Sequence, residues 1–172
     1  IISELGAQRG QLEGAAENYF QLAMETRDLA IIQRAVQFAS ANGDLNALLQ
    51  LGLLWAEIAP EEWRPQLLLS MQFLESGAFD QAISHMARVI DLGGTIDFAA
   101  LSGRTGGLSP EDRAGLISSL QQISREFSDQ LSIHMALVQL LTQNRQFEEA
   151  LAELNAVQEA TELTPNLVLL EA

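Results

Sequence analysis

Apolar and polar positions along the chain keep to the spacing of helices, with turn-forming residues between them. In residues 77–89, GAFDQAISHMARV, a large apolar residue at Phe79 is followed by Ala82 three positions on, Met86 four further and Val89 three beyond. Residues 145–157, RQFEEALAELNAV, repeat this with Phe147, Ala150, Leu154 and Val157; residues 43–55, GDLNALLQLGLLW, repeat it with Leu45, Leu48, Gly52 and Trp55. Offsets of three, four and three gather the four side chains on one helical face. The small residues let paired helices approach closely, and the larger ones fill the space between neighbouring units. Followed along the whole chain, the pattern predicts helices near 1–9, 12–26, 29–42, 45–58, 62–76, 79–92, 96–102, 109–127, 130–143, 147–161 and 165–172. Gly10, Gly43 and Gly77 each follow a helical stretch and suit the left-handed conformation at its end. Pro60 stops the helix that contains WAEIA. SPED at Ser109–Asp112 reads as an N-cap, a proline at the first helical position and acids at the positive helix end, and Thr164–Pro165 opens the last helix in the same way. No stretch alternates for long with the period of a strand, so no sheet is expected.

The helices recur with a period. Steps of 34 residues from Gly43 reach Gly77, Glu111 and Arg145, and a step of 33 back reaches Gly10. The apolar marker runs Leu12, Leu45, Phe79, Arg113, Phe147; the next runs Ala15, Leu48, Ala82, Leu116, Ala150; the last runs Leu22, Trp55, Val89, Ile123, Val157. The spacing survives where residue identity does not. This helix–turn–helix period resembles the tetratricopeptide repeat. It predicts an all-α fold, a right-handed superhelix (solenoid) forming one domain over 1–172, with units at 1–28 (partial), 29–62, 63–96, 97–130, 131–164 and 165–172 (partial). The 97–130 unit is atypical. LGGTIDFAALSGRTGGLSPEDR carries five of the twelve glycines, which predicts a short first helix and a loop at 103–108. Such a loop is either a place for functional variation or a plain surface turn.

A stack of helical pairs has a concave side lined by the first helix of each unit. With units numbered from Leu29, Trp63, Asp97 and Leu131, inner positions 2, 5, 9 and 12 read Ala30, Gln33, Gln37, Ser40; Arg64, Leu67, Met71, Leu74; and Ser132, Met135, Gln139, Thr142, with Phe98 and Leu101 joining from the third unit. The candidate peptide-groove residues are Gln33, Gln37, Ser40, Arg64, Leu67, Met71, Phe98, Met135 and Gln139. Amides and thioethers suit an extended or helical peptide through hydrogen bonds and adaptable apolar contacts. The alternative is that many of them are solvated or cover the next repeat.

Composition narrows the choice of partner. Apolar residues make up 48% of the chain and charged residues 19%, enough for a sizeable core. The net charge is −14, and all nine basic residues are arginine. That balance argues against nucleic acid and against an anionic membrane surface, both of which need clustered positive charge. Cysteine is absent, so there is neither a disulfide nor a thiolate site. The longest apolar stretch, Ala47–Ala59, is broken by Gln50, Gly52 and Glu57 and is too short to span a bilayer. The chain begins and ends in helical patterns, from which a fragment of a longer protein is expected. GRTGG lacks the lysine and hydroxyl of a phosphate-cradling loop. His85 and His134 have no second histidine at ligand spacing and read as partly buried structural residues. With no nucleophile elbow either, no catalytic set, metal site or cofactor is expected.

The tetratricopeptide resemblance extends over essentially the whole chain. Chaperone-binding members hold a terminal carboxylate with a clamp of lysines, asparagines and arginine; here Gln33, Gln37, Arg64 and Met71 stand at groove positions, so that activity is not implied. ENYFQLAMETRD, RAVQFASANGD, LLWAEIAP, IDFAAL and DRAGLISSL resemble, in this order, the repeat-rich outer-membrane lipoproteins of pseudomonads and related bacteria. That resemblance implies a non-enzymatic periplasmic adaptor that binds a carboxyl-terminal processing protease and brings it to cell-wall hydrolase substrates. Membrane attachment would come only through a lipid anchor outside these residues. Two other readings stay open: a homo-oligomerising repeat segment, and a cytoplasmic regulator that binds a signalling peptide.

Overall fold

The computed structural model describes the backbone of residues 2–168 and the side chains of residues 14–158 other than 102. Every regular element among them is a helix: α1 (Ile2–Thr26), α2 (Leu29–Asn42), α3 (Leu45–Ile58), α4 (Trp63–Glu75), α5 (Phe79–Asp91), α6 (Ala99–Ser102), α7 (Pro110–Glu126), α8 (Leu131–Gln143) and α9 (Phe147–Val168). The fold is all-α and is built from repeated helical hairpins. The chain packs as two compact units, Ile1–Ile96 and Asp97–Ala172. Their boundary coincides with the expected junction between repeats 63–96 and 97–130.

In the first unit each helix packs on the next, from α1 to α5, and α1 also touches α3. Ala23, Ile32, Ala35, Ala39, Leu48, Leu51, Leu54 and Trp55 form a buried cluster, flanked by Tyr19, Phe20 and Leu68. Full burial of a large apolar side chain stabilises the fold by about 1.5–3 kcal/mol. The last three positions of the periodic marker carry this burial: Leu48, Gly52 and Trp55 on α3, and Ala82, Met86 and Val89 on α5. The first marker behaves otherwise. Leu45, Phe79 and Phe147 each occupy the first position of α3, α5 or α9, where Leu45 and Phe147 are exposed and Phe79 is half-buried. They share one setting, but it is the rim of the hairpin rather than the space between units.

The turns follow from local chemistry. Asp28 accepts hydrogen bonds from the Ala30 and Ile31 amides to cap α2, and Asp44 accepts one from Ala47 to cap α3. Ser109 caps α7 through the Asp112 amide, with Pro110 at the first position and Glu111 and Asp112 in the first turn. Gly43 and Gly77 take φ of 66° and 76°. The amide after each glycine returns to the carbonyl five residues back, Asp44 to Ala39 and Ala78 to Phe73. The same bond joins Gln146 to Leu141, but there the left-handed residue is Arg145, at φ 61°. An L side chain in this conformation costs roughly 1 kcal/mol. Arg145→Gly is therefore expected to raise the stability of the chain by about 0.5–1 kcal/mol, read as a higher urea midpoint with unchanged slope.

Two expected breaks are absent. Helix α1 runs through Gly10, because Gln8, Arg9, Gln11 and Leu12 are good helix formers, and one glycine among them costs only about 1 kcal/mol. Helix α9 likewise continues through Thr164 and Pro165 to Val168, carried by the alanine-, glutamate- and leucine-rich run before them. Residues 169–172 of the expected last helix lie outside the described residues.

In the second unit α6 and α7 both pack on α8, and α8 packs on α9. Its buried residues include Leu116, Ile117 and Leu120 of α7, Ile133, Ala136, Leu137, Leu140 and Leu141 of α8, and Ala150 of α9. Helix α6 is a single turn, and turns and bends fill 103–108, as the glycines predict. The loop is tied down at Thr105, which is fully buried and donates from Oγ1 to Gln143 Oε1 at 3.0 Å. Arg113 stands where the other repeats have an apolar residue. Its guanidinium donates to the carbonyls of Thr105, Leu108 and Gln143 at 3.2, 3.0 and 3.3 Å.

Candidate interaction face

The first helix of each hairpin offers one row of side chains at successive turns. On α2 it is Leu29, Gln33 and Gln37; on α4, Trp63, Leu67 and Met71; on α8, Leu131, Met135 and Gln139. These rows share the 34-residue register. Gln37 and Gln139 are exposed, while Gln33 and Leu67 are half-buried. Met71 is 55% exposed, Met135 38% and Leu131 53%. Unbranched thioethers in such positions are adaptable contact groups for a partner. Ser40 is exposed on the last turn of α2. Gln37 accepts from Arg34 Nη1 at 2.8 Å, and Arg34 lies 4.9 Å over the Phe38 ring. Arg64 is also exposed and lies 5.5 Å from the Trp63 ring centroid.

Phe98 does not belong to such a surface. It is 0% exposed, and Leu101 beside it is equally buried. Register alone placed both residues on an inner face. The truncation of this first helix to the single turn of α6 breaks the register and turns both side chains into the protein interior.

Each histidine bridges the two helices of its hairpin. His85 Nδ1 on α5 lies 2.7 Å from Gln66 Oε1 on α4, and the ring stacks on Phe73 at 5.2 Å. His134 Nδ1 on α8 lies 2.5 Å from Glu153 Oε1 on α9, and its Nε2 lies 3.1 Å from the Ser128 carbonyl. The two pairs are 68 residues apart and occupy one repeat position with the polar types rearranged. In the α2–α3 hairpin the same position is filled by Ile32 and Leu51, both fully buried. Both histidines thus act as cross-helix packing residues.

Burial lowers the His85 pKa from its ordinary value of 6.5, because desolvation penalises the charged ring. The unfolded chain then takes up the proton first on acidification. The stability contributed by the neutral ring is present above about pH 6.5 and is lost as the pH falls from there towards the lowered folded value. Urea midpoints measured between pH 7.5 and 5.5 are expected to fall more steeply for this chain than for His85→Gln. Equal slopes would show that His85 does not contribute.

A feature that periodicity conceals lies in the first unit. A cleft of about 510 Å³ opens where α1 meets the end of α2 and the start of α3, with Ala16, Phe20, Ala39 and Ala47 among its lining. One repeat further on, the positions of Ala16, Ala39 and Ala47 hold Leu49, Phe73 and Gln81. Three alanines of the lining thus stand where the following unit has bulk, which leaves room for the cleft. The difference in side-chain size is present in the aligned repeats, but only the packing of α1 against α2 and α3 turns it into a cleft.

Among the described residues no helix is long and apolar enough to cross a membrane. No family model matches the chain. A TPR repeat-containing protein of Pseudomonas aeruginosa is 28% identical to it over 151 residues, which is 88% of this chain and 26% of that protein. The chain spans about a quarter of the relative it matches. The match supports a protein of the tetratricopeptide-repeat type.

Proposed function

We propose that the chain is a non-enzymatic scaffold for protein–protein interaction, part of a periplasmic adaptor that binds a carboxyl-terminal processing protease, its cell-wall hydrolase substrates, or both. The observation that carries the scaffold reading is the exposure of Met71 and Met135 at the expected inner-face register positions, with Leu131 exposed one turn before Met135. Large apolar side chains held out on rigid helices suit a protein ligand. The tetratricopeptide type of the relative supports the same reading. The periplasmic and protease-linked part rests on the resemblance of the short strings to pseudomonad lipoproteins.

The test is capture from periplasmic extract on the immobilised chain. The adaptor reading expects recovery of a processing protease or a cell-wall hydrolase, weakened about tenfold or more by Met71→Glu or Met135→Glu. Recovery of neither enzyme would sink that reading, and recovery indifferent to both substitutions would move the contact to another face.

A second reading, self-association, is favoured by α9. Leu151 is 58% exposed, whereas its repeat equivalents Ile83 and Ile117 are 1% and 3% exposed. Phe147, one turn earlier, is exposed as well. This apolar stripe would pair between copies. Light scattering across a wide concentration range decides the matter: a rise in mass that Leu151→Glu abolishes supports pairing, and a constant monomer mass removes it.

A further inference from the structure

We infer that the cleft between α1, α2 and α3 is a docking site for an arginine side chain carried by a protein partner. This deepens the scaffold reading and rests on it. The chemistry of the lining selects the ligand. Glu17 from α1 and Asp44 from the α2–α3 turn supply carboxylates, Asn42, Asn46 and Gln50 carry amide groups, and among the described residues of the lining none is basic. The floor is apolar, made by Phe20 and the three alanines. An apolar floor beneath an acceptor-rich rim matches a side chain with a hydrocarbon stem and a many-donor cationic head. Guanidinium meets this description better than ammonium, because its planar fork can engage a carboxylate and an amide oxygen together and can lie against the Phe20 ring.

The local hydrogen bonds leave room for such a guest. Glu17 Oε1 accepts from Gln21 at 3.0 Å, and Asp44 Oδ1 accepts from the Ala47 amide at 3.0 Å. Each carboxylate has about four lone-pair sites, so acceptor capacity remains on both. The positive end of α3 does not oppose a cation strongly, because Asp44 caps it: its carboxylate takes the Ala47 amide and its carbonyl takes the Leu48 amide. A volume of about 510 Å³ is within the range of pockets that enclose a side chain or small ligand. The net charge of −14 adds long-range attraction for a basic segment and raises its rate of encounter.

The test separates a shaped site from general attraction to an acidic protein. The isotope-labelled chain is titrated with N-acetyl-arginine methylamide and, in parallel, with the citrulline analogue, which has the same shape without the charge. Saturable shifts are expected at the amides of Phe20, Asn42 and Asn46, and the citrulline analogue is expected to bind about tenfold more weakly. The pair Glu17→Gln and Asp44→Asn, in which asparagine retains the helix cap, is expected to weaken binding about tenfold. So is the pair Ala16→Leu and Ala47→Gln, which imports the bulk of the next repeat without altering charge. Arginine shifts scattered over the carboxylates and unchanged by either pair would overturn the site, as would equal binding of citrulline. If the filled-cleft pair fails to fold, the neutralised pair decides alone. Loss of arginine binding with capture of a periplasmic enzyme intact would refute this site and leave the scaffold reading standing. The reverse result would refute only the latter.

Discussion

Phe98→Ala is expected to destabilise the second unit by about 3–5 kcal/mol, the range for deleting a fully buried phenylalanine. Phe98 is 0% exposed and precedes the single turn of α6, in the unit that begins at Asp97. Its removal leaves a cavity that a one-turn helix, itself packed on α8, can close only in part. Had Phe98 lined a peptide groove, the same change would lower affinity and shift stability by no more than about 0.5 kcal/mol. Urea unfolding distinguishes the two. Far-UV circular dichroism follows helices of both units, whereas Trp55 and Trp63, the chain's two tryptophans, report from the first unit alone. The loss should appear in the dichroism of the second unit. An unmoved midpoint would mean that Phe98 is not part of the core.

Arg113→Leu should be the second costliest change, although it restores the apolar residue that Leu45, Phe79 and Phe147 supply in the other repeats. A loss of roughly 2–3 kcal/mol is expected, because three backbone carbonyls lose a charged donor and the buried Thr105 loses the partner that holds its loop. Arg113→Lys should recover less than half of this, since one ammonium cannot reproduce the fork that reaches all three oxygens. A second readout is tryptic cleavage after the exposed Arg104, which should quicken once the loop is released. Greater stability in Arg113→Leu would show that the repeat pattern outweighs the loop contacts.

Both substitutions fall where the regular repeat is interrupted, and there the limits of the periodic reading are plain. Helices α2 to α5, α7, α8 and the start of α9 were legible within a residue or two, from apolar spacing throughout and, at some ends, from Asp or Ser caps and from glycines or proline. The short α6 and the loop after it were legible from their glycines. The burial of Phe98 was not: a side chain's facing can be read from register only while the helix persists. Nor did residue type mark Arg145 for the left-handed turn as it marked Gly77, although both stand at the same step of the repeat. The exposure of the candidate residues was legible in part. Met71 and Met135 are exposed where the register put them, whereas the alanine-floored cleft was not anticipated.

The linear order of residues determined the helices, their 34-residue period and the acidic character of the surface, because these depend on near neighbours and on composition. Only tertiary structure decided that Gln66 meets His85 across the α4–α5 hairpin, that Arg113 clasps a loop, and that three alanines leave a cleft. Each of these joins or separates groups distant in sequence. Their energies arise when helices pack, and a pattern confined to one helix carries no record of what lies across from it.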